Sequence, residues 1–303
     1  MKARPLDAFA ATLTFSLCVL WGFNQVVVKL ALPDVGPIAQ TGIRSAIGVA
    51  CVATYALLTN RRVFVLDGTE AAGTLAGVLF TAEFIALFES LRFTTAARAT
   101  VFIYAAPFFV ALGAAFLLKD ERLKPIQWAG LGLAFLGVAS GLAGRTPGGG
   151  LFGDGLALLA AGLWGATTIA IKATPLRRVD PLKVLLYQIG VATVVAPAVA
   201  YAVGEPVPAH LSATAVAALL WQGVLVVGVS YALWFWTLTN YAAAQLSAFT
   251  FITPLVGVFA GWLVFGETVT PGFALAIALV LAGLALVTWP RRAASPSARR
   301  DPG

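Results

Sequence analysis

The chain has 303 residues, of which 60% are hydrophobic and 11% charged, and its formal net charge is +7. A water-soluble domain carries about twice that share of charged residues, so the composition excludes an ordinary soluble fold. One His and two Cys, both Cys inside apolar runs, are too few for a His-relay protease, a disulfide framework or a thiolate metal cage. No Gly-Lys dipeptide occurs, which excludes the phosphate-binding loop of an ATPase. An integral membrane protein without cofactor or metal is therefore predicted.

Apolar segments follow one another along the chain, and at about 20 residues per crossing they predict ten transmembrane helices. Pro, Gly and paired Arg residues separate these segments and indicate where each helix ends. The predicted spans are 8–30, 37–59, 71–92, 96–118, 125–144, 153–172, 182–203, 216–239, 243–265 and 271–290. The tail 293–303, rich in Ser, Pro and Arg, is predicted to be disordered.

The basic residues fall mainly on one side of these spans. With the N-terminus in the cytoplasm, fifteen of the 20 Lys and Arg residues lie on the cytoplasmic side, four lie outside, and Arg44 lies within span two. Cytoplasmic loops carry the excess of Lys and Arg, so both termini are predicted to be cytoplasmic and the membrane to be a bacterial inner membrane. This topology explains the positive charge without a nucleic-acid partner.

The two halves of the chain repeat each other at offsets of 143 to 147 residues. The matched groups are Leu20-Trp21-Gly22 with Leu163-Trp164-Gly165, Lys29 with Lys172, Pro37 with Pro181, Arg44 with Gln188, Ala96-Ala97 with Ala243-Ala244, Pro107 with Pro254, Glu121 with Glu267, Pro125 with Pro271 and Gly137 with Gly283. Five helices per half is an odd number, so the second half enters the membrane from the opposite side. We therefore predict two inverted five-helix repeats, 1–148 and 149–292, around a central cavity.

The repeated motifs resemble the drug/metabolite transporter superfamily, in the branch with two EamA-type repeats. The resemblance is carried by Leu20-Trp21-Gly22-Phe23-Asn24, Ala96-Ala97 with Pro107-Phe108, the acidic Glu121, and the repetition of each element. It implies a secondary transporter whose helices one to four and six to nine wall the cavity. The nearest functional analogy is to YddG-type exporters of amino acids, aromatic ones included. Two departures are Ala166-Thr167 in place of Phe23-Asn24, and Ser230 in place of a second acid matching Glu83.

Two charged residues, Arg44 and Glu83, lie deep within predicted spans, where an ionised carboxylate or guanidinium costs about 2.5–3.5 kcal/mol. Glu83 is about 15 Å of helix from either membrane surface. It is interpreted either as a counter-ion for a substrate ammonium or a protonatable coupling site, or as an acid that is protonated or paired with Arg44 or Arg98. A structural partner is favoured for Arg44 over a role as a clamp for a substrate carboxylate. Lys29 and Lys172 end their helices and are expected to extend to the membrane surface.

Aromatic residues at mid-depth are the other candidates for substrate contact. Trp21 and Trp164 occupy matching repeat positions too deep for the headgroup belt, and they either fill helix contacts or line the cavity. A mostly apolar pocket with a few polar groups suits a small amphipathic solute better than a bare ion. The predicted substrate-binding residues are Glu83, Tyr104, Trp164, Tyr231, Trp234, Trp21, Phe80 and Phe251.

Pro107 and Pro254 are candidate hinges, because each removes an amide hydrogen and frees the carbonyl four residues earlier. Small residues at four-residue spacing favour close helix packing within a monomer over a dimer contact, and the oligomeric state stays open. We predict a transporter of small amphipathic metabolites, with amino acids as the favoured class, export as the direction, and the lipid bilayer and its solute as partners. A membrane-embedded enzyme and a channel remain alternatives.

Overall fold

The computed structural model describes residues 7–117, 124–144, 147–206, 210–241, 249 and 252–287. In these ranges the chain is helical apart from short connections. The helices are α1 (Ala8–Ala31), α2 (Pro37–Leu58), α3 (Glu70–Ser90), α4 (Ala96–Ile103 and Ala106–Leu117), α5 (Pro125–Ala143), α6 (Leu151–Ala173), α7 (Pro181–Ala202), α8 (Ala213–Leu220, Trp221–Ser230 and Tyr231–Asn240), α9 (Ile252–Phe265) and α10 (Pro271–Val287). A short 3₁₀ helix, Pro175–Arg178, joins α6 to α7.

Eight of the described helices are long and apolar enough to cross a membrane, and α9 and α10 are shorter apolar helices. The predicted integral membrane fold is therefore confirmed. The helix ends agree with the predicted spans to within a few residues, except that the described part of α9 begins at Ile252 and the start of its predicted span lies outside the described residues.

The helices begin where the sequence supplies the right local chemistry. Proline is the first residue of α2, α5, α7 and α10, a position at which its missing N–H costs no hydrogen bond. Asp7, Thr95 and Ser212 each accept a hydrogen bond from a backbone N–H in the first turn of α1, α4 and α8.

Two helices depart from regular α geometry. Helix α4 is interrupted at Tyr104 and Ala105, directly before Pro107, whose ring denies the carbonyl of Ile103 its helical partner. The middle of α8, Trp221–Ser230, is a π-helix. Both irregular segments border the interior of the bundle, and π-helical turns occur most often at functional sites.

The packing of the helices shows the predicted relation between the two halves. Helix α2 packs against α7, α4 against α9 and α5 against α10, so each of these pairs joins matching helices of the two repeats. Contacts between non-matching helices also have counterparts in the other half. The α3–α6 contact corresponds to α8–α1, α3–α7 corresponds to α8–α2, and α4–α6 corresponds to α9–α1. This pattern is what a two-fold axis relating the halves produces, as expected for inverted repeats.

Helices α5 and α10 approach so closely that their backbones nearly touch. A Cβ added to Gly130 would lie 2.8 Å from the carbonyl oxygen of Gly283, and a Cβ on Gly283 would lie 2.6 Å from the carbonyl oxygen of Gly130. In lipid, such small-residue contacts supply much of the attraction between helices. The α5–α10 pair therefore depends on these glycines.

Replacing Gly130 with Ala is expected to lower the stability of the purified protein by about 1–3 kcal/mol, because the new Cβ meets backbone atoms that cannot move aside. Gly132→Ala is the control, since a Cβ there meets nothing within 4 Å. The measurement is the melting midpoint of each variant in detergent. Equal midpoints for the two variants would contradict the close α5–α10 contact.

Candidate functional site

A cavity of about 640 Å³ lies inside the bundle, where α1, α2, α3, α4, α6, α7 and α8 face one another. Among its lining residues are Trp21, Asn24, Gln25, Arg44, Phe80, Glu83, Phe84, Tyr104, Pro107, Trp164, Thr167, Thr168, Gln188, Tyr231 and Trp234. The described part of α9 contributes no lining residue, although helix nine was expected to wall the cavity; it packs against α1 and α4 instead. Helices α5 and α10 lie outside, as expected.

The cavity reaches the surface at one end of the bundle. Its lining there includes Leu176, Arg177 and Val179 of the connection between α6 and α7, and Pro181 at the start of α7. The Arg177 side chain is exposed, so the cavity is continuous with the surroundings at this point. We call this end of the bundle the open end and the opposite end the closed end.

A hydrogen-bonded cluster around Glu267 joins three helices at the closed end. Its carboxylate accepts from the backbone N–H groups of Ala96 (2.8 Å) and Ala97 (2.9 Å), at the N-terminus of α4. Lys29, at the end of α1, donates to Glu267 (3.2 Å) and to the carbonyl of Thr94 (3.1 Å). A carboxylate at a helix N-terminus is stabilised by the helix dipole, and here it also ties α1 and α9 to α4. Lys29 is therefore held in this cluster at the end of α1.

A second cluster at the closed end is centred on a fully buried ion pair. Arg98 in α4 donates through Nε (3.0 Å) and Nη2 to Asp154 in α6. It also donates to the carbonyls of Gly141 (2.7 Å) and Gly144 (3.0 Å) at the end of α5. Thr94 donates a further hydrogen bond to Asp154 (2.7 Å). The predicted pairing of Glu83 with Arg98 is wrong, because Asp154 is the partner of Arg98.

The connections at the closed end are hydrogen-bonded as well. Asp34 accepts a hydrogen bond from the Ser212 amide (2.8 Å), and hydrogen bonds from Ser212 hold the pKa of Asp34 below its usual range. Glu205 accepts from the N–H groups of Ile38 (3.1 Å) and Ala39 (2.8 Å) at the start of α2. The polar groups of this end are thus paired with one another, which keeps the two repeats together there.

Aromatic side chains wall the cavity. Tyr104, at the break in α4, packs edge-on against Trp164 with ring centroids 6.1 Å apart, and Trp164 is 36% exposed because its ring borders the cavity. Trp21 packs against Trp234 at 5.4 Å and Tyr231 at 6.4 Å. Both mid-depth tryptophans thus line the cavity, which decides between the two interpretations of these residues.

The indole of Trp21 is held in place by one hydrogen bond. Its Nε1–H donates to Ser230 (2.8 Å), which in turn donates to the carbonyl of Val226 inside the π-helical segment of α8. Ser230 is the residue that takes the position of Glu83 in the second repeat. A buried indole N–H requires an acceptor, and this link fixes one aromatic wall.

Glu83 and Arg44 meet the cavity from α3 and α2, and both are buried, at 5% and 0% exposure. Arg44 lies 3.7 Å from the centroid of the Phe84 ring and 5.1 Å from that of Phe88. Glu83 and the Tyr231 hydroxyl act on it electrostatically, yet among the described residues no acceptor completes a hydrogen bond to any of its three guanidinium nitrogens.

The arrangement around Arg44 is energetically costly. Removing an ion from water costs several kcal/mol even after the protein relaxes, and a desolvated cation–π contact returns about 2 kcal/mol. The contacts with Phe84 and Phe88 therefore do not offset the burial of this charge. No hydrogen bond of good geometry within the described residues identifies the structural partner expected for Arg44. The groups around it are the Phe84 and Phe88 rings, the Tyr231 hydroxyl and Glu83.

Of the eight predicted substrate-binding residues, the structure brings seven together around the cavity: Glu83, Tyr104, Trp164, Tyr231, Trp234, Trp21 and Phe80. Phe251 lies outside the described residues. Pro107 lines the cavity beside the break in α4, whereas Pro254 is buried in the first turn of the described α9 and is not among the lining residues.

Several polar lining residues were not predicted. Asn24 and Gln25 are buried in α1, and their side-chain carbonyl oxygens have no hydrogen-bond partner among the described residues. Thr167 and Thr168 line the cavity at the matching positions of α6, and Gln188 does so at the repeat position of Arg44. The repeat offset of 143–144 residues could have identified these residues from the sequence, because it matches Asn24 with Thr167, Gln25 with Thr168 and Arg44 with Gln188, and all of them are polar. Within the described residues, no group of three His, Cys, Asp or Glu side chains is placed to hold a metal ion.

Comparison with known proteins gives consistent relatives over nearly the whole chain. The model of the EamA-like transporter family matches twice, at residues 8–140 and 151–289. The chain is 24% identical over 281 residues to an uncharacterized transporter, YoaV, of Bacillus subtilis, covering 90% of this chain and 94% of that one. It is 27% identical over 294 residues to a probable amino-acid metabolite efflux pump of Salmonella typhimurium, covering 92% and 93% of the two chains.

The Escherichia coli protein with the same description is 26% identical over 290 residues, covering 90% of this chain and 92% of that one. A solved crystal structure superposes with a TM-score of 0.65 at 20% identity and covers 93% of this chain and 97% of the other. At that identity the superposition shows a shared fold.

Glu267→Gln is expected to loosen the closed end, since an amide cannot accept from both N–H groups of α4 and also hold Lys29 as an ion pair. The measurement is labelling of a single introduced thiol, Thr168→Cys, by a membrane-impermeant reagent applied at the closed end, with Cys18 and Cys51 replaced by Ala.

The labelling rate is expected to rise at least several-fold in the Glu267→Gln background. Glu89→Gln is the matched control, because among the described residues Glu89 pairs with Arg92 at the same end and takes no part in the Glu267 cluster. Equal rates in the two backgrounds would show that the Glu267 cluster does not keep this end closed.

Proposed function

The chain belongs to the EamA-like transporter family, and we propose that it moves small amphipathic metabolites across the membrane by alternating access, with amino acids, aromatic ones included, as the favoured class. One observation carries the proposal: the cavity is walled by aromatic rings, holds one buried acid and one buried base, and opens at a single end.

The size and lining of the cavity suit a small organic solute. Binding sites for such molecules occupy about 300–1,000 Å³ and are mostly apolar with a few placed polar groups. The cavity volume of about 640 Å³ lies within that range. Trp21, Tyr104 and Trp164 offer flat apolar surface, while Glu83 and Arg44 supply opposite charges. The names of the Salmonella and Escherichia relatives, probable amino-acid metabolite efflux pumps, favour the same class of substrate and export.

Alternating access follows from the paired packing of the two repeats. The described state is open at one end. If each repeat took up the conformation of the other, the opposite end would open instead. Such a change requires flexible points within helices, and the interruption of α4 at Tyr104, next to Pro107, is suited to that role. The Glu267 and Arg98 clusters are the contacts that have to part when the closed end opens.

The orientation is inferred from charge. Under the bias of Lys and Arg, both termini and the 61–69 and 174–180 connections lie in the cytoplasm of a bacterial inner membrane. The open end then faces the cytoplasm, so the described state is the one in which an exporter takes up its substrate.

The alternatives are less well supported. A channel would offer a continuous polar path, whereas this cavity ends at the paired residues of the closed end. An enzyme would require a nucleophile, metal ligands or an acid and base set against a reacting atom. The cavity offers instead a single carboxylate and a guanidinium that is always charged.

Counterflow in proteoliposomes tests the proposal. Vesicles loaded with unlabelled amino acids are expected to accumulate the labelled amino acid transiently and saturably, because a carrier exchanges one solute for another. A channel would equilibrate the label without exchange, and an enzyme would convert it. Absence of counterflow for every amino acid and small amphipathic metabolite tested would refute the proposed function.

Glu83→Gln is expected to reduce counterflow of solutes that carry an ammonium group by about tenfold or more, since a charge-assisted contact contributes about 1.5–3 kcal/mol. If Glu83 also exchanges a proton during transport, the pH dependence of flux flattens in this variant. The measurement is initial flux between pH 5.5 and 8.5, and Glu70→Gln, in the first turn of the same helix and outside the cavity, is the control. Wild-type flux of Glu83→Gln at every pH would exclude both roles.

Labelling of single thiols tests the orientation. Cysteines introduced at Arg61 and Arg178 are expected to react from the cytoplasmic side, and a cysteine at Arg92 from the outside, because an even number of spans separates 61 from 178 and one span separates 61 from 92. Labelling in intact cells and in permeabilised cells makes the comparison. Placement of 61 and 178 on different faces would overturn the inverted-repeat topology.

A further inference from the structure

Arg44 is a buried cation that completes no hydrogen bond of good geometry within the described part of the chain, although the Tyr231 hydroxyl and the Glu83 carboxyl lie near it. It lies in α2 at 0% exposure, and Nε, Nη1 and Nη2 are all without a partner among the described residues. It is also one of the residues that line the cavity. Buried guanidinium groups are normally paired, and an unpaired one in a ligand cavity indicates that the ligand supplies the partner.

Arg98 is a buried arginine with a structural role, and its hydrogen-bond acceptors can be compared with the surroundings of Arg44. Both side chains are buried and both lie near phenylalanine rings. Arg98, however, donates to the carboxylate of Asp154 and to the carbonyls of Gly141 and Gly144. Arg44 has the same kind of surroundings without such acceptors, although Glu83 is one helix away.

Phe84 holds the guanidinium in one position. The guanidinium carbon lies 3.7 Å from the ring centroid, which puts the planar cation against the face of the ring. A guanidinium held in this way presents a fork of donors that matches the two oxygens of a carboxylate.

The two buried charged groups of the cavity lining both lie in the first repeat, whereas the exposed Arg177 belongs to the second. The position of Arg44 in the second repeat is Gln188, and that of Glu83 is Ser230, whose hydroxyl is engaged with Trp21 and Val226. A polar headgroup is therefore recognised on the α2–α3 side of the cavity. The aromatic side chains of Tyr104 and Trp164 remain for the apolar part of the solute.

We propose that Arg44 is the site that binds the carboxylate of the transported solute, so that the substrates are organic molecules with a carboxylate group and an apolar or aromatic body. This inference rests on the proposed function and narrows it. Glu83, in the same cavity, is available for an ammonium group when the solute carries one. Amines that lack a carboxylate meet an unpaired cation and are excluded.

Three probes of similar shape separate the two headgroup charges: phenylalanine, 3-phenylpropionate without the ammonium, and phenylethylamine without the carboxylate. Binding is measured on purified protein in detergent as the rise of the melting midpoint with probe concentration. We expect phenylalanine and 3-phenylpropionate to bind the wild-type protein at least about tenfold more tightly than phenylethylamine does.

Arg44→Gln is expected to lower the affinity for 3-phenylpropionate by about tenfold or more, and Arg44→Lys by less, because lysine keeps the charge without the fork of donors. The same response to 3-phenylpropionate in the wild-type protein and in Arg44→Gln, including no response in either, would overturn the proposal.

The melting midpoints of the ligand-free variants are a second test of the proposal. Arg44→Gln is expected to melt at or above the wild-type midpoint, because it removes an unpaired buried charge, whereas Arg98→Gln breaks a buried ion pair and melts several degrees lower. An equal loss of stability in both variants would assign Arg44 a structural role and overturn the proposal.

The proposed function is tested separately by counterflow. Exchange of amino acids that is insensitive to Arg44→Gln would refute the carboxylate site and leave the transporter function intact. Binding of 3-phenylpropionate through Arg44 without counterflow of any solute would support the site and refute the proposed function.

Discussion

The architecture of this protein depends on one constraint: inside a membrane, a polar or charged group has to find its partner within the protein, because hydrocarbon offers none. At the closed end two described carboxylates meet this constraint. Glu267 is bound by two backbone N–H groups and by Lys29, and Asp154 is bound by Arg98 and Thr94. In the cavity the same constraint is left unmet at groups that line it.

The irregular backbone follows the same rule. The break in α4 at Tyr104 lines the cavity, and the π-helical segment Trp221–Ser230 of α8 reaches it through Val226. Regular helices, α5 and α10 among them, form the outside and pack through glycine contacts such as Gly130 with Gly283. The helices that have to change shape are therefore separate from the pair that holds the bundle together.

Backbone symmetry and side-chain asymmetry have different consequences. Matching helices of the two repeats pack in equivalent pairs, so the backbone of the bundle is built on one plan used twice. The cavity side chains break this symmetry, since Arg44 and Glu83 face Gln188 and Ser230 at the repeat positions. The shared backbone plan is what the proposed alternating access requires, while the unequal side chains place the buried charges on one side of the cavity.

The sequence by itself determined the membrane location, the ten helices, the repeat and the family. These follow from apolar segments, prolines and matched motifs, which are local features of the sequence. Repeat matching also predicted most of the cavity wall, for example Trp21 opposite Trp164. Only the tertiary structure decided which charges are paired. Arg98 finds Asp154, 56 residues away, while Arg44 completes no hydrogen bond of good geometry in the described chain, and that difference depends on how helices cross in space rather than on local sequence.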